Sequence, residues 1–207
     1  PATQNILCGS AAILEPYALI SSGANCQACH QDLWFHAGTA RGFDACILCH
    51  AAAGSEDVPR YVAANAPETP GVTVNFRSLL HKIHRGQELA HAANFIVAGA
   101  GSTPYPDNFT ANTFEDILFP AFPGRTMHCA KCHGVENTAW IEPAPRDHPT
   151  AQTLPTAVWT TACATCHDSA AALAHIELRT TPGGVEACAV CHGVGSMVSV
   201  ESAHATR

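Results

Sequence analysis

Five copies of Cys-x-x-Cys-His constrain this chain more than any other feature of its 207 residues. They are Cys26-Cys29-His30, Cys46-Cys49-His50, Cys129-Cys132-His133, Cys163-Cys166-His167 and Cys188-Cys191-His192. The pattern is the attachment signature of c-type haem. Two thiols three residues apart bond one porphyrin, and the adjacent histidine becomes the proximal ligand of its iron. Chance would place roughly 0.04 such motifs in a chain of this length and composition. A zinc ribbon would need neither a histidine after every pair nor five separate pairs. A disulfide framework suits eleven cysteines poorly, because the number is odd and the pairs are spaced for one porphyrin each. Five haem c groups are therefore expected. Cys8 lies outside every motif and reads as an inert thiol, with a lipidated cysteine or an intermolecular disulfide as alternatives.

That cofactor load dictates the fold class. About 41 residues per haem are too few to give each haem its own core, so covalent attachment must stand in for a large aliphatic interior. The expectation is a mainly α protein of low regular structure, with short helices and long loops wrapped around five closely packed haems. The 15 glycines and 14 prolines agree. Residues 1–25 read as an arm without haem, where Ile13, Leu14, Leu19 and Ile20 could form a short helix. Residues 26–207 read as the pentahaem domain. Residues 75–90 give the strongest helical pattern, capped by Asn75, striped by Phe76, Leu79, Leu80 and Ile83, and weakened at Gly86. Residues 51–72, 99–125 and the stretch from Pro143 to Pro155 read as loops. Asp44-Ala45 before the second motif is echoed by Glu186-Ala187 before the fifth, which suggests two haem pairs around a single third haem.

Net charge is −7, and haem propionates would take the oxidised protein to about −12. This excludes nucleic acid as a partner. No run of 18 apolar residues exists, so no transmembrane segment is expected. Haem c is attached outside the cytoplasm, and a removed signal peptide is expected ahead of Pro1.

The second axial ligand separates electron carrier from catalyst, because an open sixth position permits substrate chemistry. Eight histidines lie outside the motifs: His36, His81, His84, His91, His128, His148, His175 and His204. Five are needed. His81 and His84 share one helix face and can serve two neighbouring haems. His36, six residues past His30, would point away from its own haem if the helix continued; His175 follows His167 similarly. His204 sits in a tail with no other reason for order. His128 abuts Cys129, His148 lies among prolines and His91 follows the helix end, so solvated histidine is their default. Met127 and Met197 read as packing residues.

The stretches CQACHQDLWFHAG…ACILCH, FRSLLHKIHRGQEL, TFEDILFP…CAKCH and ACATCHDS…CAVCH…AHA resemble the outer-membrane multihaem cytochromes of the OmcA/MtrC type over about residues 24–206. The chain is similar to one pentahaem module of those decahaem proteins. The resemblance implies His36, His81, His84, His175 and His204 as distal ligands. It also implies electron transfer at the cell surface or outside the cell, not enzymatic catalysis. The implied partners are other multihaem cytochromes and extracellular metal oxides or soluble acceptors; a second copy in a haem-lined filament is a further possibility. A soluble periplasmic pentahaem shuttle to a terminal reductase is the alternative, and a multihaem reductase is a weaker one. A catalytic role would require an iron without a distal ligand.

Overall fold

A computed structural model describes residues 6–7, 9–10, 12, 20–38, 40–50, 74, 76–100, 109–120, 125–138, 140–141 and 158–205. Cys8, Ile13, Leu14, Leu19, Asn75, His148 and the loops read at 51–72 and 143–155 fall largely or wholly outside these residues.

The described chain is short helices joined by turns, with little sheet and no closed sheet. Helices α1 (Gly23–Gln27) and α2 (Phe43–Cys49) flank a small hairpin of β1 (Trp34–Phe35) and β2 (Ala40–Arg41). Helix α3 (Phe76–Arg85) follows, continued by a 3-10 turn at Gly86–Glu88. Strands β3 (Ile96–Ala100) and β4 (Phe109–Thr113) pair antiparallel, from Ile96 opposite Thr113 to Ala100 opposite Phe109. Then come α4 (Ala130–His133), α5 (Val158–Cys163), α6 (Ala170–Leu178), α7 (Cys188–His192) and α8 (Val200–Ala203).

The expected helix over 75–90 is thus helical from Phe76 to Arg85, its first amide donating to the His50 carbonyl at 2.7 Å. Its end is set by Gly86 at φ +45°, a left-handed backbone that other L-residues rarely adopt. A Cβ there would run into the Ile117 carbonyl. Gln87 N–H donates to that same carbonyl at 3.1 Å, so the close approach is itself a tertiary joint. The loop expected over 99–125 is corrected in part: Ile96–Ala100 and Phe109–Thr113 form a hairpin. Small residues in its first strand obscure the alternation that marks strands.

The aliphatic core is sparse. Among the described residues the buried apolar side chains are Leu33, Phe43, Val74, Leu89, Phe95, Val158 and Trp159. Leu118, Val135, Leu178, Val190 and Met197 remain exposed. Two carboxylates, buried Asp168 and half-buried Glu186, fasten segments where apolar contacts are few. Asp168 accepts the amides of Ala90 (2.8 Å) and His91 (2.9 Å). Glu186 accepts those of Trp159 (2.9 Å) and Thr160 (2.5 Å) at the open N-terminus of α5.

Candidate haem-binding site

Each motif is wound into a helical turn. The histidine amide donates to the carbonyl of the first cysteine at 2.9 Å for His30, His50 and His133, and at 2.8 Å for His167. Helix α7 spans the whole fifth motif. One turn carries two thiols at i and i+3 on one side, with the histidine at i+4 stacked over the first thiol. All ten motif thiols are free of disulfides.

Those turns lie beside one another. Ser21 Oγ (2.5 Å) and Asn25 Nδ2 (3.0 Å) donate to the Cys132 carbonyl, joining the first and third motifs. Burial raises the Cys132 thiol pKa, and the neighbouring Cys26 and Cys29 raise it further. Burial and then Cys26 raise that of Cys46. Cys129 is pushed up to about 11, by burial first and then by Cys166 among others. Cys163 reaches about 11 through burial and then Cys188. Hydrogen bonds and helix contacts thus set the first motif beside the second and the third, and electrostatic coupling links the third to the fourth and the fourth to the fifth.

Ten histidines meet as five pairs, each joining one motif histidine to one outside the motifs. The ring centroids of His30 and His84 are 6.0 Å apart, those of His50 and His36 5.9 Å, and those of His133 and His81 6.1 Å. His167 and His204 are separated by 6.0 Å, and His192 and His175 by 6.2 Å. Two imidazoles bound to opposite sides of one metal, each nitrogen about 2 Å from it, would hold their centroids roughly 6 Å apart. The five pairs have that spacing, and paired thiols adjoin each, so the side chains present fit the group that the motifs imply. Ring planes are near parallel for His36–His50 (18°) and His81–His133 (28°). The other three pairs cross at 74° to 88°.

Hydrogen bonds fix ring orientation and tautomer. His50 Nδ1–H donates to the Val74 carbonyl at 2.8 Å, His133 to Ile20 at 2.9 Å and His192 to Val198 at 2.9 Å. His84 and His204 donate to the carbonyls four residues back, Leu80 and Val200, each at 2.8 Å. A proton held on Nδ1 leaves the Nε2 lone pair free for a metal. Burial favours the neutral form of four rings, those of His81, His84, His133 and His167. His81 is depressed to about 4 by burial first, then by His133, Arg77 and His84. Arg77, one turn back, raises it weakly through its backbone, yet His81 Nδ1 is buried without a partner in hydrogen-bond geometry. His84, His133 and His167 are lowered too, each chiefly by burial.

His36 reaches His50 by a different route from the one expected. No helix continues past His30; the β1–β2 hairpin turns the chain, and His36 sits in its 3-10 turn at φ +54°. Gly38, at φ +86°, leaves room for the Trp34 indole, which Arg41 covers at 5.3 Å. Trp34, Phe35, His36 and Gly38 line a cavity of about 500 Å³. His91 is exposed, and its backbone serves Asp168. His128 lies in the turn ahead of the third motif. Sequence reasoning missed Asp168, Ser21 and Asn25, and noted Glu186 only as part of an echo between motifs, not as a cap. An acidic residue flanking a motif was the available signal for Asp168.

The family model for outer membrane cytochrome MtrC/MtrF-like domains II/IV matches residues 18–205. No curated protein matches the chain. Among solved structures, the crystal structure of the outer membrane decaheme cytochrome OmcA is similar, with 22% identity and a TM-score of 0.49. That likeness covers 89% of this chain and 23% of OmcA, so the chain spans about a quarter of that protein's length. Among the described residues no helix is long and apolar enough to cross a membrane.

Proposed function

The chain belongs to the outer membrane cytochrome MtrC/MtrF-like family, and from that premise we propose that it is a pentahaem electron conduit working at the cell surface or outside the cell. Residues 26–207 form the haem-bearing domain in this reading, with 1–25 as its arm. The cysteines of each motif tether one haem c. His30 with His84, His50 with His36, His133 with His81, His167 with His204, and His192 with His175 would hold the five irons. Haem c, when bound, supplies a one-electron couple at each position.

The rest is done by the chain. The ten imidazoles would hold the five irons from both sides, which would leave no open position for a substrate. Carbonyl hydrogen bonds hold five of the rings, those of His50, His84, His133, His192 and His204, so little rearranges there when charge passes. The adjacency of the motifs lays a continuous path from the second through the first, third and fourth to the fifth. Partners are other multihaem cytochromes and extracellular metal oxides or soluble acceptors. A second copy extending the path is compatible with this role.

The five histidine pairs carry the reading. Electron paramagnetic resonance of the oxidised holoprotein tests it, with haem counted by pyridine haemochrome. The expected result is five haems, all low-spin, with one fifth turning high-spin in each of His36→Ala, His81→Ala, His84→Ala, His175→Ala and His204→Ala. A stoichiometric high-spin signal in the parent, or an unchanged spectrum in these variants, would overturn it.

A further inference from the structure

Arg85 closes α3 and is tied down on one side only. Its Nη1 donates to Glu88 Oε2 at 2.6 Å and to Thr126 Oγ1 at 2.9 Å. Its Nε–H is buried and has no hydrogen-bond partner. A buried guanidinium donor without an acceptor costs on the order of 1–3 kcal/mol, more for a charged group, so an acceptor is expected. The surroundings say where. Helix α3 packs on α5, which leads into the fourth motif. Five and six residues past Arg85, the amides of Ala90 and His91 are clamped on Asp168, next to His167.

We propose that Arg85 is a contact residue for the haem tethered by Cys163 and Cys166, its Nε–H donating to a propionate of that group. The inference rests on the haem-binding reading above. A propionate supplies the acceptor the guanidinium lacks, and Arg favours planar carboxylate recognition. Glu88, shared with Arg125 at 2.9 Å, holds the other edge of Arg85 and offsets part of its charge. The cation stabilises the reduced, less positive state and so raises that haem's potential. Lys82, three residues before Arg85, rests its ammonium on the Phe95 ring at 5.3 Å.

Spectropotentiometry of the holoprotein, with redox-difference infrared spectra of propionate-labelled haem, tests this. In Arg85→Gln one of the five midpoint potentials should fall and one pair of propionate carboxylate bands should move. In Glu88→Gln the same midpoint should rise, since the guanidinium stays and its counter-charge is gone. A merely structural role would not give opposite signs. Arg85→Lys, which keeps the charge, should shift that midpoint less and serves if the Gln variant does not fold. His204→Met marks the fourth haem, because methionine ligation raises potential. Unchanged midpoints and unchanged propionate bands in Arg85→Gln overturn the contact, whatever His204→Met does. A shift in a component other than the one His204→Met moves overturns the assignment to the fourth haem. If His204→Met moves no component, the ligand reading fails separately, and the infrared bands still decide the contact.

Discussion

Replacing Asp168 by Ala should loosen the joint between the end of α3 and the fourth motif. Asp168 is only 8% exposed and accepts two amides, from Ala90 at 2.8 Å and His91 at 2.9 Å. Bonds to a charged acceptor are worth about 1.5–3 kcal/mol each. Ala90 and His91 are themselves exposed, so water can partly replace the lost acceptor, and the low end applies. The loss is then about 3 kcal/mol for Asp168→Ala and about half that for Asp168→Asn, whose carbonyl keeps one bond. With a guanidinium slope of about 5 kcal/mol/M, the Ala variant should unfold about 0.6 M earlier by far-ultraviolet circular dichroism. The Soret dichroism of the holoprotein should change as well, since Asp168 follows His167 directly. A midpoint within 0.1 M of the parent, or an Asn variant as weak as the Ala variant, would refute the reasoning.

Gly86→Ala should cost about 2–4 kcal/mol, from a left-handed backbone and a Cβ driven into the Ile117 carbonyl; a thermal unfolding shift of under 2 °C would contradict it. His91→Gln, His128→Gln and His148→Gln should leave every haem low-spin; a high-spin fraction of one fifth in any of them would reassign the ligands. One alanine inserted between Lys82 and Ile83 should rotate His84 by about 100° relative to His81 and free one of their two partners. Resonance Raman spin-state markers should then report one high-spin haem, and five low-spin haems would show that the spacing is not what matters.

Much of this arrangement was legible in the sequence because its signals are local. The motifs are five consecutive residues each, and the His81/His84 helix declares itself through its apolar stripe. The sequence also singled out the same five outer histidines that the fold pairs with the motif histidines. What it could not give was the pairing itself. His36 illustrates why. Its position follows from a hairpin turn at positive φ and from the room Gly38 leaves for Trp34, neither of which helical periodicity can express. The β3–β4 hairpin was read partly as loop because Ile96–Ala100 lacks alternation and nearby prolines argued against strand. Asp168 went unnoticed, and the capping role of Glu186 with it, because a carboxylate that caps a distant segment looks like any solvated acid.

The hydrogen bonds on the histidine rings divide by origin. His84 and His204 take their acceptors from their own helical segments, four residues back, and so are oriented as soon as those turns form. His50, His133 and His192 depend on carbonyls of Val74, Ile20 and Val198, which lie 24, 113 and 6 residues away. For the second and third motifs, ring orientation is therefore a tertiary property, acquired only when distant chain arrives. Helix α3 is where the two kinds meet. Its His81 and His84 stand one turn apart, yet they face His133 and His30, from motifs about a hundred residues apart in sequence. The helix thus fixes the spacing of the His30–His84 and His133–His81 pairs by its own pitch, while Ile20 and residues 21–25 bring the third motif to it. With so sparse an aliphatic core among the described residues, this joint matters, and His81 at its centre, its Nδ1 buried, is held neutral.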